Sequence, residues 1–279
     1  MDTISNFLAQ NGYAKTTERT YTDILSQFLR DTPDLKAITA SQLVHYVSSK
    51  ESWGNARQCV AVACIKSFLA WQFGQNHTAL TARIKRIKGK VPRFITTETA
   101  LLLLSSFNPY TTKGARDLAI CSLLLDTGLR EAEICRLQQA DTDTEHRKLQ
   151  VLVKGGSWEW AIFTEETAVH IERWKSFREK LNPHGHGFLF VHSQTGKGIT
   201  PEGLYSIVNA WGKNIGVKIG VHDFRRGFAT IASENGASDR LIMAGGRWKS
   251  TQMVTRYTRG LRLEAMRPWL PMSKLKDIV

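Results

Sequence analysis

Cysteine is scarce in this sequence: four residues in 279, Cys59, Cys64, Cys121 and Cys135, with no Cys-x-x-Cys pair and no His-x-His spacing beside them. That scatter argues against a disulfide scaffold and against a zinc module, and it leaves buried thiols as the reading, with no metal site. Long apolar runs are missing too, since no stretch approaches the roughly 18 uninterrupted residues of a membrane span. The opening MDTISNFLAQ lacks the basic-then-apolar layout of a secretory leader, so a cytoplasmic protein with no membrane partner is expected. No internal repeat or low-complexity tract is visible. What remains is 42% apolar residues, enough to bury a core, in a length that suits two modest domains.

Acidic charge is also in short supply. The chain carries 38 Lys and Arg against 25 Asp and Glu, a net +13 that favours a polyanionic partner. Residues 1–82 are almost balanced, with seven cations and six anions, whereas residues 83–93, RIKRIKGKVPR, hold six cations and no anion. Arg83, Lys85, Arg86, Lys88, Lys90 and Arg93 are therefore candidates for contact with a phosphate backbone, a solvated linker being the plain alternative. Gly89 and Pro92 disfavour a continuous helix there. The segment thus reads as a linker between a helical domain over 1–82 and a second domain over 94–279.

In the first domain the apolar spacing predicts helices near 3–10, 16–30, 39–49 and 54–73. The last places Val60, Cys64, Ile65, Phe68, Leu69 and Phe73 on one face. Arg57 and Lys66 fall elsewhere on that helix and join the candidate DNA contacts. Downstream, a Thr96 or Thr97 cap starts a helix over 97–106, followed by helices near 114–126 and from Arg130 to about 138. KLQVLVKGGSWEWAIF, residues 148–163, alternates apolar positions on either side of Gly-Gly, which is the pattern of a β-hairpin with Lys154 at its tip. Helices near 165–180, 201–214, 222–235 and 238–244 precede a tail from about 251 to 279. The fold class is mainly α with a small antiparallel sheet.

Across the second domain runs a series of residues suited to phosphodiester exchange. A diester anion repels nucleophiles, so a site needs cations on its non-bridging oxygens, an acceptor for the attacking proton and a donor for the leaving alkoxide. Arg130 follows Thr-Gly-Leu in LLLDTGLREAEICRL; Lys154 sits in LVKGG; His222 and Arg225 stand in HDFRRGFAT; Trp248 stands in GGRWKS; Tyr257 follows nine residues later in VTRYTRG. His-x-x-Arg alone is a weak signal, and the specificity lies in the order and the final spacing. This series resembles the tyrosine recombinase, or phage integrase, family over roughly residues 94–265. The N-terminal helices are more loosely similar to that family's core-binding domain.

The resemblance implies that Tyr257 is the nucleophile and forms a 3′-phosphotyrosyl link. His222 would accept its proton, Lys154 would protonate the leaving 5′ oxygen, and Arg130 with Arg225 would grip the non-bridging oxygens. Trp248 fills a position held by His or Trp, either bonding a phosphate oxygen or packing beneath the tyrosine segment. Glu133, three residues past Arg130, lies on the same side of its helix and is expected to orient a catalytic group. SWEW follows Lys154 where the family often has basic residues, and Arg226 stands where histidine is common. No metal, ATP or other cofactor is implied, because one ester is exchanged for another.

The implied partner is double-stranded DNA with inverted-repeat core sites, bound by a homotetramer across two sites, with accessory DNA-bending proteins a further expectation. The location is then the nucleoid. Leu263, Met266, Trp269, Leu270 and Met272 offer the tail an apolar anchor, on its own domain or on a neighbour. No additional N-terminal arm-binding domain is expected. Two other readings stay open: a type IB topoisomerase-like relaxing enzyme, and a DNA-binding module without strand exchange.

Overall fold

The computed structural model describes residues 3–87, 92–153, 155–181 and 187–258, apart from the side chains of Met253, Arg256, Tyr257 and Thr258. Lys88, Lys90, Lys154 and the tail with its apolar anchor lie outside the described residues. The chain divides into two compact units, Met1–Lys90 and Val91–Val279, with the division inside the basic segment. No helix among the described residues is long and apolar enough to cross a membrane.

The first unit is helical: α1 Thr3–Asn11, α2 Lys15–Asp31, α3 Ala40–Ser48, α4 Asn55–Phe73 and a short 3-10 turn over Thr78–Thr81. Thr39 starts α3 by accepting the Gln42 backbone N–H, while the Gln42 side chain accepts the Thr39 N–H. This reciprocal pair fixes the helix start. The core is built from Phe7, Phe28, Leu43, Ile65, Phe68 and Leu69. Two residues placed on the buried face of α4 are corrected: Val60 and Phe73 are 42% and 38% exposed, while Ala61 and Val62 are buried in their stead. At 100° per residue Val60 lies roughly 140° round the helix from Ile65, too far to share its face.

The second unit follows the order α5 Thr97–Ser106, α6 Thr112–Thr127, α7 Glu131–Arg136, β1 Thr142–Asp143, β2 Lys148–Leu152, β3 Trp158–Ile162, α8 Glu165–Leu181, α9 Pro201–Asn214, α10 Val221–Glu234, α11 Asp239–Gly245 and α12 Thr251–Thr258. The strands form one antiparallel sheet, β1-β2-β3, so the fold is mainly α with a small sheet. Thr96 is the cap of α5, its hydroxyl accepting the Thr99 N–H. Buried on nearly every side, α6 is the axis against which α5, α8 and α10 pack. Leu149 and Val151 of β2 join Ile120, Leu124, Ile171 and Trp174 in one core, while Lys148, Gln150 and Leu152 alternate outward.

Three departures have physical causes. The helix after Arg130 stops at Arg136 rather than about 138, because Leu137 turns extended and its carbonyl accepts the Leu189 N–H. Thr142–Asp143 adds a third strand to the hairpin by pairing with Lys148 and Leu149. Residues 251–258, assigned to the tail, form α12, which is held by fully buried Val254 against Ala229, Ile242 and Trp248.

Candidate active site

The turn from α6 to α7 delivers Arg130. Gly128 closes α6 in the left-handed region at φ 55°, its N–H reaching the Leu124 carbonyl at 3.0 Å, a conformation that favours glycine. Leu129 is buried, and Arg130 occupies the N-cap of α7 with extended backbone. Glu133, only 4% exposed, answers it twice: one carboxylate oxygen accepts the Arg130 backbone N–H at 2.9 Å and the other accepts from Nη1 at 2.6 Å. The Arg130 side chain is about a third exposed, so its guanidinium is held at Nη1 while part of it still reaches solvent.

Arg225 comes from the first half of α10 and is buried. Its Nη1 donates to the Gly128 carbonyl and its Nη2 to the Gly246 carbonyl, both at 2.5 Å, and its guanidinium lies 4.5 Å over the Trp248 ring. One planar cation therefore ties the turn that carries Arg130 to the loop that carries Trp248. The neighbouring Arg226 points to other work: it donates to the Asp223 carboxylate at 2.9 Å and to the Arg93 carbonyl at 3.0 Å. Asp223 also accepts the Gly220 N–H, starting α10, and lies 3.7 Å from the Arg93 guanidinium. His222 sits in the first turn of α10 with an exposed side chain, three residues before Arg225.

The loop after α11 supplies Gly246, Arg247 and Trp248. Trp248 is 5% exposed and packs with Ala229, Ile242 and Val254, so it lies under α12, the helix whose last turn carries Tyr257. A Cβ on Gly246 would sit 2.3 Å from the Trp248 ring, so the indole needs glycine there. Arg247 was not singled out by sequence, yet it is 8% exposed and enters the same cluster, donating to the Gly245 carbonyl at 2.9 Å and the Thr127 carbonyl at 3.0 Å. Burial pulls its pKa down, and Glu133, whose carboxylate lies 3.8 Å away, raises it in part. Only its positive φ of 53° marks it locally, and sequence does not reveal that.

Arg130, Glu133, Arg225, Arg247 and Trp248 thus form one cluster at the end of α6. His222 stands on α10, which also carries Arg225, and Tyr257 falls in the last turn of α12, the helix that Val254 packs against Trp248. Lys154 lies between Val153, whose N–H donates to the Ser157 carbonyl, and Gly155 and Gly156, both at positive φ, which close the β2–β3 turn. In the basic segment Arg83, Lys85 and Arg86 are exposed, and the Asn55 side chain grips the Lys85 carbonyl at 3.1 Å and the Ile87 N–H at 2.8 Å. Arg57 pairs with Asp23 and lies over the Trp53 ring, and Lys66 donates to the Ala82 carbonyl at 3.1 Å, so both have structural partners.

Comparison with known proteins identifies the family. The sequence pattern of the phage integrase family matches residues 93–262. The tyrosine recombinase XerA of Pyrococcus furiosus is 26% identical over 266 residues, covering 92% of this chain and 89% of the relative. The tyrosine recombinase XerC of Staphylococcus saprophyticus is 28% identical over 245 residues, covering 83% and 82%. Among solved structures, XerH site-specific recombinase bound to a palindromic difH substrate in a post-cleavage complex superposes with a TM-score of 0.74, at 19% identity over 92% of this chain and 80% of that one. A lambda integrase dimer bound to a COC′ core site gives 0.73, at 17% identity over 92% and 94%.

Proposed function

The chain belongs to the phage integrase family and is a site-specific tyrosine recombinase of DNA, and we propose that Tyr257 is its nucleophile and that the cluster at the end of α6 is its phosphate clamp. The observation that carries the proposal is the pair of hydrogen bonds that Arg225 donates to the Gly128 and Gly246 carbonyls. It fixes the Arg130 turn and the Trp248 loop in one frame, while Trp248 and Val254 fix α12 to the same frame. Pre-set donors of this kind cost no reorganisation when charge develops on the phosphate.

In the proposed reaction the Tyr257 oxygen attacks the scissile phosphorus in line. The phenol proton passes to His222, which stands exposed in the first turn of α10. Without an acceptor, a phenol of pKa about 10 would ionise only about once in a thousand molecules at neutral pH. The bond to the 5′ oxygen breaks as Lys154 delivers a proton to it, leaving a 3′-phosphotyrosyl ester and a 5′ hydroxyl. Arg130 holds a non-bridging oxygen throughout, whereas Arg225, expected to grip the second, commits Nη1 and Nη2 to the Gly128 and Gly246 carbonyls and contributes positive field. Attack by a 5′ hydroxyl of a partner strand reverses each transfer, so the energy of the bond is conserved.

DNA is the partner. The finer arrangement belongs to the same proposal: inverted-repeat core sites, four protomers across two duplexes at the nucleoid, the N-terminal unit and the exposed cations of residues 83–93 on the phosphate backbone, and accessory bending proteins for some sites. The test is selection of nicked duplexes from a random library by covalent retention on the protein in detergent. Recovery of an inverted-repeat site by the native protein, and of nothing by Tyr257→Phe, is the expected result. Equal recovery by both would refute the proposed nucleophile.

A further inference from the structure

Glu133 poses an electrostatic problem for the clamp. A carboxylate 2.6 Å from the Arg130 guanidinium, and itself 4% exposed, offsets much of the charge that Arg130 would present to a phosphate diester. On its other side stands Arg247. Its Nη2 is 3.8 Å from the second Glu133 oxygen, and its side chain is 2% exposed. Its guanidinium is anchored to the Thr127 and Gly245 carbonyls, and its Nε is buried with no hydrogen-bond partner among the described residues. Arg130 and Glu159 are the other charged groups whose fields reach it.

The backbone adds an independent sign. Arg247 adopts φ 53°, a region that costs a non-glycine residue on the order of 1 kcal/mol. An ordinary turn requirement would be met by glycine, and here a large cation is placed there and buried. Burying an arginine is tolerated when a carboxylate and carbonyls answer it, and removing one member of such a set exposes the charge of the rest.

We infer that Arg247 is a positioning residue that neutralises Glu133 from behind, so that Arg130, oriented by the same carboxylate, keeps its positive charge for the scissile phosphate. The three form an Arg–Glu–Arg set with one net positive charge, where Arg130 and Glu133 alone would carry none. The role rests on the recombinase reading for its substrate, although the charge balance itself is a property of the folded protein.

The test compares native protein with Arg247→Met, Arg247→Gly and the double variant Arg247→Met with Glu133→Gln. Gln keeps an acceptor for Arg130 without the charge. Two readouts are taken: tungstate affinity by titration calorimetry, with tungstate as the phosphate mimic, and the single-turnover rate of covalent adduct formation on a nicked duplex recovered by the selection above. Arg247→Met should weaken tungstate binding and slow the adduct by at least about tenfold, the scale of one unit charge at several ångströms in a partly buried site. Arg247→Gly should lose as much. Although glycine suits φ 53°, both single variants should also melt lower, because they leave the Thr127 and Gly245 carbonyls and the buried Glu133 without Arg247. Recovery in the double variant is therefore what separates charge from stability. The double variant should recover to within about threefold of native, since charge balance is restored. The inference is overturned if native protein binds no tungstate, if Arg247→Met and Arg247→Gly bind it as native does, or if removing the Glu133 charge restores nothing. Absence of any adduct from native protein would instead sink the recombinase reading and leave the tungstate comparison standing.

Discussion

The two arginines that bracket the proposed phosphate site are held in different ways, and their loss should register differently. Arg225 satisfies two carbonyls in a buried setting, and a hydrogen bond to a charged group contributes about 1.5–3 kcal/mol. Arg225→Ala should therefore lower the melting temperature as well as abolish adduct formation. Arg130 is a third exposed and paired with one carboxylate, a contact worth about 1 kcal/mol or less. Arg130→Ala should abolish the adduct with little change in melting, and equal destabilisation by the two would contradict the division of roles. The thiols offer a second check. Burial pushes Cys64 and Cys135 up to about 12 and Cys121 higher still, so the folded protein keeps them protonated where an unfolded chain would not. Folding stability should consequently hold below about pH 8.5 and fall as pH rises past it, as unfolded thiols ionise. An Ellman titration of native protein at pH 8 should modify Cys59 first and the other three only on denaturation, because Cys59 alone is not buried.

At the scale of elements, what the sequence revealed depended on how much of each element's burial is periodic. The hairpin over 148–163 was legible because alternation and Gly-Gly are local signals, and Thr96 announced its helix by cap chemistry. Arg130, Arg225 and Trp248 were legible by motif order and Glu133 by its helical spacing from Arg130, and the structure draws the four into one cluster. By contrast, α12 is TQMVTRYT, whose one described buried side chain, Val254, makes no period. The two residues of β1 are too few to show alternation. Arg247 was illegible for a different reason: a charged residue in a glycine turn reads as surface, and its burial arises only where α6, α7 and the loop after α11 converge. Because α12 is fastened by Val254, Val254→Asp should bury an unpaired carboxylate and detach the helix from Trp248. Adduct formation should drop by two orders of magnitude or more, while gel-shift affinity for the selected duplex stays within about threefold. Unchanged adduct formation would mean that α12 need not be docked for chemistry.

For the molecule as a whole, the charge of residues 83–93 sets how binding responds to salt. Arg83, Lys85 and Arg86 are exposed, and the backbone between them is clamped by Asn55. If each neutralises one phosphate, replacing all three by alanine should reduce the slope of log affinity against log salt by about 2.7, at roughly 0.9 per contact. A slope that does not move would make the segment a plain linker. Every other part of the account depends on Tyr257 becoming covalently joined to DNA. The direct measurement is peptide mapping by mass spectrometry of the adduct trapped on a nicked duplex of the selected site. The expected result is a nucleotide attached through phosphate to Tyr257 and no adduct from Tyr257→Phe. Attachment at any of the other five tyrosines, or an undiminished adduct from Tyr257→Phe, would contradict it.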